Sequence, residues 1–221
     1  MDRFVFWVNR DEADRMPGWA RDYTAAAGSA DDVYDCFTDV EAVWREDIRG
    51  DSARRIIEGL DIEFSERSFV DAVIRGDRFL TGLFLDAGCS ASVHASPGVP
   101  LLNACVRAGH IDLAGPLLEA GADMNGVSED RGTTPLMDAA SRGLNEIVRR
   151  FIAMDALLEH ASRDGRTAVT LAAGNGHEET AVLLIDAGAD VDRKDDLGMS
   201  ARRYADLHKQ QGVLDAIRRT G

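Results

Sequence analysis

The side chains able to do chemistry in this sequence are few and scattered. Three cysteines, Cys36, Cys89 and Cys105, offer thiols, and five histidines, His94, His110, His160, His177 and His208, offer imidazoles. A nucleophilic thiol needs a base and an electropositive setting, yet the first 63 residues, which hold Cys36, contain no histidine. No CxxC pair occurs, so neither a zinc knuckle nor a disulfide framework is indicated, and an odd number of thiols fits a reducing compartment. Asp31, Asp35 and Asp39 stand at i, i+4 and i+8, a row that suits a hard cation. A solvated acidic face with Asp31 at a helix N-terminus accounts for the same spacing. No Gly-rich phosphate loop is present. With no acid/base, nucleophile or metal constellation, neither catalysis nor a cofactor is expected.

The elements that carry these side chains recur. Gly98, Gly132, Gly165 and Gly198 are separated by 34, 33 and 33 residues, and Gly76, Gly109, Gly143 and Gly176 by 33, 34 and 33. Gly88, Gly121 and Gly188 keep the same phase, with Asp155 in the missing slot. Such self-similarity is the mark of a stacked array. Each period offers two short helices, for example Thr167 to Gly174 and Glu178 to Ala187, with an apolar stripe from Leu171, Ala172, Val182, Leu183 and Ile185. The Ala139-Ala140 and Ala172-Ala173 pairs allow close helix approach. Gly143, Gly176 and Gly188 follow helix ends, where a left-handed cap favours a residue without a β-carbon.

The stretch Asp130-Arg131-Gly132-Thr133-Thr134-Pro135-Leu136-Met137-Asp138-Ala139-Ala140 resembles the opening of an ankyrin repeat, with Met137 where histidine is usual. Gly174-Asn175-Gly176-His177 and Leu183-Leu184-Ile185-Asp186-Ala187-Gly188-Ala189-Asp190 are similar to the rest of that repeat. The resemblance implies an all-α ankyrin-repeat solenoid of about five helix-turn-helix units with hairpin-like loops, at 64–94, 95–127, 129–161, 162–194 and 195–221. The first and last are degenerate, and Arg202, Arg203, Asp206, Lys209 and Gln210 suit a polar end cap. The resemblance gives His110 and His177 a structural hydrogen bond in the turn. Cys89 and Cys105, at alanine positions, read as small core residues.

Residues 1–63 carry no repeat. Val33, Phe37, Val40, Trp44 and Ile48 place an apolar stripe on a helix over Asp31 to Arg49, and Ser52 is a candidate cap for a second helix through Glu58. Met1 to Val8 is a strand or an extended strip. The segment is expected to form a mainly helical N-terminal cap, with Trp7, Trp19 and Trp44 in its core. It holds 16 acidic residues and eight arginines, a net of −8 within a chain total of −14. That charge repels a phosphate backbone, so nucleic acid is not an expected partner. The apolar run Phe4 to Val8 is too short for a leader or a membrane span, and a soluble, cytoplasmic, monomeric protein is expected.

In ankyrin domains the resemblance implies a partner protein held by the hairpin tips and the exposed side of the inner helices. Those slots hold Val99, Arg131, Thr133, Arg163, Arg166, Leu197 and Met199 on the tips. On the helices they hold Ile74, Arg75, Arg107, Arg142, Asn175 and His208. Recurrent arginines suit an acidic segment or a C-terminal carboxylate, because a guanidinium pairs with a carboxylate through two hydrogen bonds. Local acids such as Asp130 and Asp164 are the competing partners for those cations. The expected function is a non-catalytic adaptor, an inhibitor or an immunity protein that covers a toxin. An exported effector that binds host proteins, or a small enzyme in residues 1–63 targeted by the repeats, are the alternatives.

Overall fold

The computed structural model describes residues 50–220. The helix expected over Asp31 to Arg49, the Asp31/Asp35/Asp39 row, Cys36, the three tryptophans and the Met1 to Val8 strip lie outside the described residues. The described chain divides into two compact units, residues 50–72 with 77–89, and residues 73–76 with 90–220.

In the first unit, α1 (Asp51–Gly59) packs on α3 (Arg78–Asp86), with α2 (Glu66–Arg75) between them in sequence. Ala53 and Ile57 give α1 a fully buried face. Phe84 is the hub of the unit, with the rings of Phe64 and Phe69 at 5.8 and 5.7 Å. Asp77 caps α3 by accepting the Leu80 amide at 2.8 Å. Ser52 does not cap α1. It lies inside the helix, and Gly50 takes the cap position with φ 61°, with no side-chain cap bond.

The second unit is built from helix pairs at the predicted period: α4 (Leu101–Ala108) with α5 (Ile111–Glu119), α6 (Pro135–Ser141) with α7 (Asn145–Ala153), α8 (Ala168–Gly174) with α9 (Glu178–Asp186), and α10 (Ala201–His208) with α11 (Gln211–Thr220). The inner helices α4, α6, α8 and α10 stack in that order, and α7, α9 and α11 stack behind them. Local chemistry starts the inner helices. Thr134 and Ser200 accept the amides of Met137 and Arg203, Pro135 fills the first turn of α6, and the Thr167 amide donates to Thr170 Oγ1 at 2.7 Å. Ala139, Ala140, Ala172 and Ala173 have no exposed surface. Leu101, Leu113, Leu117, Leu136, Phe151 and Leu184 fill the space between pairs, each Leu contributing about 1.5–3 kcal/mol by burial. Met137 is wholly buried among them. Cys105 is buried as expected, and burial, with the Asp112 charge second, pushes its thiol up to about 12. Cys89 differs from expectation in being only half-buried.

Each pair sends out a hairpin finger. The first contains β1 (His94–Ser96) and β2 (Val99–Pro100), paired antiparallel. The fingers are joined by backbone bonds, from Glu129 N to the Gly98 carbonyl at 2.6 Å, from Arg163 N to Arg131 at 3.1 Å and from Asp196 N to Asp164 at 3.1 Å.

Candidate functional site

The inner helices are tied to one another at their C-terminal ends. His110 Nε2 donates to the Ile74 carbonyl at 2.9 Å, and His177 Nε2 to the Ser141 carbonyl at 3.1 Å. The next slot holds Gln210, whose amide donates to the Ala173 carbonyl at 2.7 Å. Gly76 and Gly143 are required on two counts. Their φ angles are +74° and +69°, and a β-carbon would meet the His110 or His177 ring at 2.4 or 2.5 Å. The slot between them holds Leu144, which has no donor. There the guanidinium of Arg142 donates to the Arg107 carbonyl instead, lying where the imidazole lies elsewhere, with Nη2 3.2 Å from the place a Gly109 β-carbon would take. Asn175, at the same phase, donates to the Ser141 carbonyl at 2.8 Å.

Arg107 is likewise committed within the protein. Its Nε donates to Asp138 at 2.9 Å, Nη1 to Asp130 at 2.8 Å, and Nη2 to Ser128, Thr133 and Asp130 at 2.6, 2.9 and 3.2 Å. Asp138 is only 3% exposed, and it also accepts from the Thr133 hydroxyl at 2.9 Å and the Asn103 amide at 3.1 Å. Burial raises its carboxyl pKa, and the Arg107 charge and these hydrogen bonds only partly offset that. Asp130 behaves oppositely. Burial acts to raise it, but the Arg107 and Ser128 hydrogen bonds, the Arg107 charge and the Arg131 amide together prevail and bring it down to about 2. A second cluster joins the last two fingers. Buried Asp195 accepts the Leu197 and Met199 amides at 3.0 and 2.9 Å and the Tyr204 hydroxyl at 2.8 Å, with Arg166 Nε 3.5 Å away. Burial acts to raise the Asp195 carboxyl, and its hydrogen bonds with the Arg166 charge hold it below the ordinary range.

The thirteen expected contact residues therefore separate. Val99 and Thr133 are buried and present almost no surface: Val99 lies opposite Ser96 beside the turn of its finger, and the Thr133 hydroxyl is spent on Asp138. Arg107, Arg142, Arg166 and Asn175 are engaged by neighbouring units. Arg131 is 69% exposed, with its Nε 4.0 Å from Asp130. Arg75 and Arg163 are exposed and form no ion pair with a described residue. Ile74 and Leu197 are open to solvent, Met199 is half-buried with its amide on Asp195, and His208 stacks on Tyr204 at 6.4 Å. Leu207, 66% exposed, belongs with them and sits at the inner-helix slot of Ile74. Asp138, Asn103 and Asp195 had escaped the sequence reading. The available signal was an acid between the apolar Met137 and Ala139 on a face that the period buries. A polar hollow of about 400 Å³ lies between the ends of α8 and α10, lined by Asn175, Glu178, His208, Lys209 and Gln210. Among the described residues no group of three or more His, Cys, Asp or Glu is placed to hold a metal ion. No described helix is long and apolar enough to cross a membrane.

A stack of short antiparallel helix pairs, each with a projecting finger and cross-linked to the next, defines a repeat-built binding scaffold. A family model of ankyrin repeats in three copies matches residues 72–195, and the chain belongs to the ankyrin-repeat family. It is 36% identical over 142 residues to an ankyrin repeat-containing protein of Treponema pallidum, covering 64% of this chain and 48% of that one. It is 30% identical over 130 residues to the ankyrin repeat and KH domain-containing protein mask-1 of Caenorhabditis elegans, covering 58% of this chain and 5% of the relative. To the human neurogenic locus notch homolog protein 1 it is 39% identical over 111 residues, 49% of this chain and 4% of the relative. The chain thus spans about half the length of the first of these and a twentieth or less of the others. Ankyrin repeats are protein–protein interaction modules.

Proposed function

We propose that the chain is a non-catalytic adaptor or inhibitor, of the kind that includes toxin immunity proteins, and that it holds its partner with the fingertips and inner helices. The observation that supports this reading is a division among the arginines at the expected contact slots of helices and fingers. Arg107, Arg142 and Arg166 build the scaffold, whereas Arg75, Arg163 and the largely exposed Arg131, with only a 4.0 Å contact to Asp130, face solvent, as do the apolar groups Ile74, Leu197 and Leu207. Free guanidiniums next to apolar surface suit a segment that carries carboxylates and bulky apolar side chains.

Affinity purification with the full chain from its native cell, followed by mass spectrometry, supplies the partner, and dissociation kinetics tests the site. Arg75→Ala, Arg131→Ala and Arg163→Ala are each expected to speed dissociation about tenfold, as desolvated charge-assisted pairs would require, with the melting temperature unchanged. Wild-type dissociation rates in all three variants would rule out this face as the binding site.

A further inference from the structure

The units of this array serve as controls for one another, and one departs from its neighbours without structural return. After the outer helices α5 and α9 the chain reads Ala120-Gly121-Ala122-Asp123 and Ala187-Gly188-Ala189-Asp190. After α7 it reads Met154-Asp155-Ala156-Leu157. Two of the three changes remove a stabilising feature. Gly121 and Gly188 take φ +88° and +94° without strain, whereas Asp155 holds φ 58° with a β-carbon. Asp123 and Asp190 each accept the amide two residues on, from Asn125 and Asp192 at 2.9 Å, which closes the turn, and Leu157 has no such acceptor. In exchange the unit exposes two large apolar side chains, Met154 at 47% and Leu157 at 55%.

The surroundings of this apolar spot are acidic. The Leu157 amide donates to Asn125 Oδ1 at 3.0 Å, which brings Asp123 alongside, and Glu159 accepts the Asp190 amide at 2.8 Å, which brings Asp190 to the other side. Asp123, Asp155 and Asp190 are all exposed. Arg193 is drawn to Glu159, whose carbonyl it binds at 2.7 Å. A second copy of a chain with net charge −14 would meet its own repulsion here. We propose that the turn following α7 is a second docking surface, apart from the fingers and inner helices, and that it takes a basic amphipathic segment of another protein with apolar side chains flanked by Lys or Arg.

The test uses the full chain and two labelled peptides, each a helix with a leucine stripe, one flanked by lysines and the other by glutamates, with binding followed by fluorescence anisotropy. The informative variant is Met154→Ala with Leu157→Asp, which restores the residues of the neighbouring units and is therefore expected to melt at an equal or higher temperature. The lysine peptide should bind wild type in a salt-sensitive way, bind the double variant at least about tenfold more weakly, and bind Arg131→Ala and Arg163→Ala as it binds wild type. The glutamate peptide should not bind. No binding of the lysine peptide, equal binding to the double variant, or a wild-type dimer that the double variant abolishes would each overturn the proposal. Because the groove variants are scored separately, failure of the fingertip site and failure of this one are distinguishable.

Discussion

The guanidinium of Arg107 occupies a groove slot by phase, yet all three of its nitrogens donate to groups of its own protein. Its partner Asp138 is almost wholly buried, so the pair is held in a setting where removing one charge strands the other. Arg107→Ala is expected to lower stability by about 3–5 kcal/mol in urea melts, and a loss under about 1 kcal/mol would mean that Asp138 is protonated in the native protein. The acid limb of stability gives an independent check. Asp130 titrates at about 2 in the folded chain against an ordinary 3.8, so its contribution is complete above the unfolded value and is lost as pH falls through that interval. The raised Asp138 works in the other direction, holding its proton more tightly when folded and so favouring the fold as pH falls. Without Arg107 the Asp130 contribution is reduced and Asp138 becomes a stronger proton acceptor. The stability gap between wild type and Arg107→Ala should therefore shrink as pH falls from about 4 to about 2, and a gap that widens would contradict the assignment.

At the level of the helix pair, each junction needs one donor for the carbonyls that end the preceding inner helix. Histidine supplies it at two junctions, Gln210 at the last, and Arg142 at the one where leucine fills the slot. Arg142→Ala should then cost about 1 kcal/mol, and Leu144→His should reduce that cost by restoring an imidazole over Gly109. A double-mutant cycle on thermal stability measures the coupling, and additive effects would show that Arg142 and the histidine slot are unrelated. The period placed Gly109, Gly143 and the helix ends in the sequence within a residue of where they fold. It did not reveal that Arg142 replaces an imidazole, because the vacancy at Leu144 has meaning only once the facing carbonyl is in place.

Across the whole molecule, stability in a stacked array is a sum of unit and neighbour terms, and its last unit must turn a polar face outward. Arg202 and Asp206 stand at the phases where Leu136, Val169, Ala140 and Ala173 are buried, and the Arg202 guanidinium folds back on Asp192 at 2.7 and 2.9 Å. Arg202→Leu with Asp206→Ala is expected to expose an apolar end and produce concentration-dependent self-association by light scattering, whereas a variant that stays monomeric at all concentrations would show that these residues do not cap the stack. The sequence by itself determined the period, the helix pairs, the finger between them and the glycines that end the helices. Those features depend on local backbone chemistry and on one neighbour at a fixed distance, so a 33-residue phase carries them in full. Tertiary structure alone decided which arginines are engaged inside the stack and which face solvent. Arg107 meets Asp130 and Asp138 across 23 and 31 residues, and Arg142 meets the Arg107 carbonyl across 35. Phase places all of these arginines at exposed slots of helices and fingers, but acceptors contributed by the adjoining unit engage some of them and leave others in solvent.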